Sequence, residues 1–213
     1  ETYYPHIRRM AQVIPPGVRI PVFVSDRQAS RRSVGWSLDS QWLLFVANDY
    51  QRKGLTTVLQ ALQNLPRELQ LAVVGQNRQQ ARFEALAINL GVASRVHFLG
   101  PRQDVELLMS AADVLVHPTT EDSFGMVVLE AMSHAVPAVV SGAQYCGISA
   151  GLEHLVNAWI LDNPLDSHDL KQAIEKTLEP SMHISLGQQA FAWASTQDWK
   201  HLALSQEALY YDV

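Results

Sequence analysis

Short apolar runs alternate with stretches of helical spacing along most of this chain, and few folds accept that pattern. Residues 42–47 (WLLFVA), 69–74, 96–99, 114–116, 138–140 and 158–161 read as six buried strands. Residues 54–65, 79–90, 105–112 and 124–134 fall between them with helical periodicity, and 167–178, 184–194 and 199–210 read as closing helices. The strands are apolar along their whole length, as expected where both faces of a sheet are covered, and strands joined through helices run parallel. The pattern predicts an α/β domain with a mostly parallel, doubly wound, Rossmann-like sheet. Such sheets bind ligands beyond the carboxyl ends of their strands, near the point where strand order reverses. The loops after the strands are therefore where function is expected.

A chain of 213 residues can make one good-sized domain, or one domain with an arm, and an apolar share of 47% is enough for its core. The net charge of −5 argues against nucleic acid as the main partner. A single cysteine, Cys146, excludes a disulfide framework and suits a reducing cytoplasm. No apolar run reaches membrane-spanning length and no signal peptide opens the chain, so a cytoplasmic protein without a membrane span is expected. Residues 1–23 read as a polar helix end, a short strand and a Pro-rich turn, as though more chain preceded them.

Residues 117–138, HPTTEDSFGMVVLEAMSHAVPA, say the most about function. An apolar strand delivers a polar, acidic loop, then Gly125, then an apolar helix carrying one acid, Glu130. A helix start of this kind aims free N–H groups, here at Gly125, Met126 and Val127, and the positive end of the helix dipole at its ligand, typically phosphate. Asp122 and Glu130 flank that cradle, eight residues apart. Carboxylates are poor phosphate ligands and suit hydroxyl groups. A diphosphate between ribose and a hexose has hydroxyls on both sides, which points to a nucleotide-sugar. The alternatives are a salt bridge for Glu130, which would otherwise be a costly buried charge, and helix N-capping for Asp122.

These residues resemble the E-x7-E region of the retaining glycosyltransferases of family 4, which have the two-domain GT-B architecture. His117, Pro118, Phe124, Gly125, Glu130, Ala131, Met132, Pro137, Val139 and Val140 match the family pattern. Asp122 stands where Glu is usual and Ala135 where Gly is usual. Asp is one methylene shorter, setting the carboxylate back by about 1.5 Å. The resemblance implies that Glu130 accepts from ribose hydroxyls, that Asp122 orients the sugar, and that Phe124 to Val127 lie against the donor. Further stretches, DYQRKG, VVGQN and RQDVELLMSAADVLVHP, resemble the branch that adds glucose to a lipopolysaccharide core heptose from UDP-glucose, with no metal required.

Other candidates lie in the neighbouring loops. Arg52, Lys53 and Gly54 follow the first strand; adjacent cations could clamp a diphosphate or simply start a solvated helix, where cations are slightly unfavourable. In the family the Lys of the Lys-Gly pair contacts the diphosphate, which implies Lys53 here. Asn48 stands where many members have Arg, so Arg52 is the expected substitute. Gly75 closes the second strand, as in the family's turn beside the nucleotide. The run through Leu99 to Arg102 matches the loop that meets the base, with Arg102 either a donor neighbour or a surface cation. The family also places amides near Cys146-Gly147 by the sugar-phosphate. His117 reads as a packing residue at a strand end.

No His-x-x-His or Cys-x-x-Cys spacing supports a metal site, no G-x-G-x-x-G follows the first strand, and a hydrolase elbow is unsupported. The resemblance divides the chain into an interdomain arm at 1–40, a nucleotide-sugar-binding domain at 41–195, and a final helix at 196–213 returning to the other domain. It implies a bacterial transferase, cytoplasmic or peripheral on the inner face of the membrane. Its N-terminal acceptor-binding domain, which would receive the glycolipid, is absent from these residues, so this stretch alone should bind donor and transfer nothing. The rivals are a GT-B epimerase or phosphorylase-like enzyme and a non-catalytic nucleotide-sugar-binding module.

Overall fold

The computed structural model describes residues 14–22 and 26–211, the last three by backbone alone. The helix end and strand expected before residue 14 lie outside these residues. In chain order the elements are α1 (Arg27–Val34), β1 (Gln41–Val46), α2 (Leu55–Gln63), β2 (Leu69–Val74), α3 (Gln80–Asn89), β3 (Val96–Gly100), α4 (Val105–Ala111), β4 (Val114–His117), α5 (Met126–Ser133), β5 (Ala138–Ser141), β6 (Trp159–Leu161), α6 (Ser167–Thr177), α7 (Pro180–Ser195) and α8 (Trp199–Tyr211). The strands form one sheet of order β3-β2-β1-β4-β5-β6, every pairing parallel. Strand order reverses at β1, whose outward neighbours are β2 on one side and β4 on the other.

Alternate side chains of each strand go to opposite faces. Leu43 and Phe45 join one buried cluster with Leu59, Leu62 and Phe83, under α2 and α3, with Leu170 and Ile174 of α6. Leu44 joins the other with Trp36, Leu108, Val128, Leu129 and Ala190, under α4, α5 and α7. Both faces are covered, which is why the strands show no polar alternation.

Three elements differ from the sequence expectation. Helix α5 starts at Met126 rather than residue 124 because Gly125, at φ 99°, is left-handed and ends the loop. Helix α7 starts four residues earlier than its apolar pattern, with Pro180 in its first turn, where proline needs no N–H partner. Helix α1 has no counterpart among the elements that apolar periodicity predicts. It lies within the stretch 1–40 and packs on α4. Its buried residues are Ser30 and Arg31, not an apolar stripe. Arg31 donates to the Ala111 carbonyl at 2.9 Å and the Ser40 carbonyl at 3.1 Å, and pairs with Asp113. Asp113 also accepts from Arg27 at 3.2 Å and the Trp42 N–H at 2.6 Å. Val18 pairs with the segment before α8, its N–H donating to the Gln197 carbonyl at 2.9 Å.

Candidate functional site

The loops after β1 and β4 meet at the switch point, and glycine lets them meet closely. Gly54 has φ 86°, and a Cβ there would lie 2.0 Å from the Pro118 carbonyl oxygen. The Arg52 carbonyl accepts the Thr120 N–H at 2.9 Å and the Thr119 and Thr120 hydroxyls at 3.2 and 3.1 Å. Lys53 is thereby carried onto the acidic loop. Its ammonium donates to Asp122 Oδ2 at 2.7 Å and to the Glu121 carbonyl at 3.0 Å.

Asp122 is the hub of this cluster. Oδ2 also receives His117 Nε2 at 3.0 Å, and Oδ1 accepts the Phe124 N–H at 3.2 Å. The cap of α5 is Gly125, so Asp122 closes a turn before the helix and does not cap it. The hydrogen bond from His117, reinforced by Lys53 against an opposing burial cost, holds the Asp122 carboxyl well below the usual carboxylate range. Burial pushes His117 down, so the ring is neutral near pH 7 and donates through Nε2.

The loop after β5 braces this arrangement. The Asp122 N–H donates to the Tyr145 carbonyl at 2.7 Å, the Gly147 N–H to the Asp122 carbonyl at 3.1 Å, and the Ile148 N–H to the Phe124 carbonyl at 2.6 Å. A Cβ on Gly147 would lie 2.2 Å from the Ser123 carbonyl oxygen, and one on Gly125 would lie 2.7 Å from Cys146 Sγ. The N–H groups of Gly125, Met126 and Val127 have no acceptor among the described residues, leaving the start of α5 open to an anion.

Glu130 lies one turn into α5 and lines a cavity of about 730 Å³ with Val46, Gln103, Asp104, Met126 and His134. Among the described residues its carboxylate has neither an ion pair nor a hydrogen bond, so the salt-bridge alternative is not realised there. Burial, with Glu106 adding repulsion, pushes its carboxyl above the ordinary value. A half-buried acceptor without a donor is suited to ligand hydroxyls.

The remaining candidates are dispersed. The Arg52 guanidinium turns to Asp49, 3.3 Å away, so its backbone rather than its charge joins the two loops. Arg102 forks onto Asp104 at 2.8 and 2.6 Å on the surface. Leu99 lines a separate hollow with Trp36, Trp42 and His97, not the Glu130 cavity. Gly75, at φ 119°, lets the end of β2 approach β1: a Cβ there would sit 2.0 Å from the Ala47 carbonyl oxygen. Phe124 borders a third hollow with Ile148 and Trp193, while the partly buried Val127 packs against the core. His117, read from the sequence as a packing residue, instead holds Asp122; its match to the family pattern and its position five residues before Asp122 are the available signals.

His117, Asp122 and Cys146 bring one ligand atom each to within 4.8 Å of one another, the kind of group that can hold a metal. The donor set fits poorly. Burial, with Asp122 adding, pushes the Cys146 thiol up to about 12, so it stays protonated and donates to the Phe124 carbonyl at 3.4 Å. The Lys53 ammonium already occupies the Asp122 oxygen that a cation would take.

Comparisons with known proteins agree with this fold. The profile of the family described as "Glycosyl transferases group 1" matches residues 26–192. Lipopolysaccharide glucosyltransferase WaaG of Escherichia coli K12 is 34% identical over 200 residues, covering 88% of this chain and 52% of that protein. The crystal structure of WaaG, described as a glycosyltransferase involved in lipopolysaccharide biosynthesis, superposes with a TM-score of 0.80 at 32% identity, over 93% of this chain and 55% of that one. Anabaena Alr3699/HepE in complex with UDP and glucose gives a TM-score of 0.85 at 25% identity, over 96% of this chain and 58% of that one. The chain spans about half the length of the curated relatives it matches. With its six-stranded parallel sheet, its GT-B domain fold and this family-wide match, the chain belongs to the group 1 glycosyltransferases.

Proposed function

We propose that this chain is the donor-binding half of a retaining glycosyltransferase that takes a nucleotide-sugar, UDP-glucose, and delivers the hexose to a lipopolysaccharide core or related glycan. The observation that carries this is the placing, along the loops and helix start at the sheet's switch point, of a cation on Lys53 beside Asp122, open amides at the start of α5, and an acceptor on Glu130 that has no partner among the described residues. Lys53 and the amides offer positive charge to a diphosphate, Glu130 offers hydroxyl recognition to ribose, and Asp122 offers it to the sugar. HepE, of the same fold, binds UDP and glucose, which supports the choice of base and sugar.

In transfer, the bond from the sugar C1 to the diphosphate oxygen breaks, and an acceptor hydroxyl bonds to C1 on the same face while its proton passes to the departing diphosphate oxygen. Charge grows on the departing diphosphate, and the ammonium and helix amides stabilise it, the electrostatic contribution that usually dominates such catalysis. In this reading the ammonium takes the place of a divalent cation. The acceptor glycolipid and any contact with the inner membrane face belong to an N-terminal domain in the longer protein, so this chain alone binds donor and transfers nothing.

Calorimetric titration with UDP, UDP-glucose, UDP-N-acetylglucosamine, GDP-mannose and ADP-glucose tests the proposal. Heat with the uridine nucleotides, and discrimination in favour of glucose, is the expected result. No heat with any of the five refutes it. Transfer to a heptose acceptor by this chain alone would refute the division of labour.

A further inference from the structure

The donor reading gives His117 no role, yet its surroundings are not those of a packing residue. It is 1% exposed, and its Nδ1 has no partner among the described residues. An orphaned buried nitrogen costs stability that an aliphatic side chain in the same place would not. The ring makes one side-chain hydrogen bond among the described residues, from Nε2 to Asp122 Oδ2 at 3.0 Å. That bond places the proton on Nε2 and leaves Nδ1 as the bare lone pair.

The same Asp122 oxygen holds Lys53 at 2.7 Å. A diphosphate bound at the start of α5 competes for that ammonium. Were Lys53 to leave, the carboxylate would lose its cation and its shortest hydrogen bond. His117 and the Phe124 N–H, 3.2 Å from Oδ1, would remain. We propose that His117 is a positioning residue: it holds the Asp122 carboxylate in place while Lys53 passes from Asp122 to the diphosphate, freeing Oδ2 for a sugar hydroxyl. This role rests on the donor function above. Recognition of the sugar then follows recognition of the diphosphate, and free glucose has little hold on the site.

The test compares wild type with His117→Leu, which removes the donor, and His117→Gln, which returns an N–H at similar reach. Each is checked for folding by urea unfolding and titrated with UDP and with UDP-glucose. UDP affinity is expected to stay within about threefold in both variants. The ratio of UDP-glucose to UDP affinity should fall by about tenfold or more in His117→Leu, the scale of one hydrogen bond to a charged group, and return in His117→Gln. Equal loss for both ligands, or Leu and Gln variants that behave alike, overturns the positioning role. Should His117→Leu fail to fold, nitrogen NMR of the wild-type imidazole decides: a ring protonated at Nδ1 rather than Nε2 overturns it. Wild type that binds no nucleotide overturns the donor function and this role together.

Discussion

At the scale of single residues, the site depends on a few contacts with little slack. Replacing Lys53 by Ala removes the ammonium from Asp122 and from any diphosphate, and should weaken UDP by about 1.5–3 kcal/mol, the range for hydrogen bonds to charged groups; uridine affinity should stay the same in parallel calorimetry. Gly54→Ala should weaken UDP as well without touching a ligand, because its Cβ would strike the Pro118 carbonyl and push the two loops apart. Ala135 offers a change in the opposite direction. It sits just past α5 at φ 57°, a left-handed conformation that costs a non-glycine residue about 1 kcal/mol. Ala135→Gly should recover about that much in urea unfolding. The sequence alone marked Ala135 as unusual but could not show what the departure costs. Asp122 and Glu130 are legible because carboxylates beside a phosphate cradle or in an apolar helix stand out against their neighbours; Lys53 is legible through its place in the family's Lys-Gly pair. The sequence could not show that Arg52 and Arg102 turn to Asp49 and Asp104, since an arginine's long side chain leaves its direction open. Nor could it show His117 bonded to Asp122, because that depends on how the loop folds back.

At the scale of elements, legibility followed the source of stability. Strands β1 to β6 and helices α2 to α6 are held by apolar burial, which leaves a period in the sequence. Helix α1 is held by Arg31 and Asp113, which leaves none. Both side chains are nearly buried, at 8% and 10% exposure. Removing one member of a buried pair strands the other, at a cost of about 3–5 kcal/mol. Asp113→Ala should therefore lower the urea midpoint by a corresponding amount, and it also strips an acceptor from Trp42 at the start of β1. Replacing Arg31 and Asp113 together by apolar residues of similar volume should cost clearly less than either single change, and a double-mutant cycle on the unfolding free energies checks this.

At the scale of the whole molecule, buried histidines make the fold acid-sensitive. Burial pushes His117 and His183 below their ordinary value, and His183 Nε2 donates to the Asp113 carbonyl at 2.9 Å. In the unfolded chain both take protons near pH 6.5, so their contribution is complete above that pH and is lost as pH falls below it. Each histidine contributes a slope of up to about 1.4 kcal/mol per pH unit there. Asp122, held low, adds a further loss only below about pH 4, where its unfolded counterpart protonates. Unfolding free energies measured from pH 7.5 to 5 should therefore decline toward acid, and His117→Gln should flatten part of that decline. The strand order carries a kinetic consequence as well. Leu43 pairs with Val114 across a far longer stretch of chain than separates Leu71 from Val96, or Val139 from Trp159. That pairing is the join at which two halves of the sheet meet late in folding, since distant contacts form at greater entropic cost. Lys53 stands on one half and α5 on the other. A ligand gripped by both would act as a clasp across the join, and amide exchange in β1 and β4 should slow more on binding than exchange in β3 or β6.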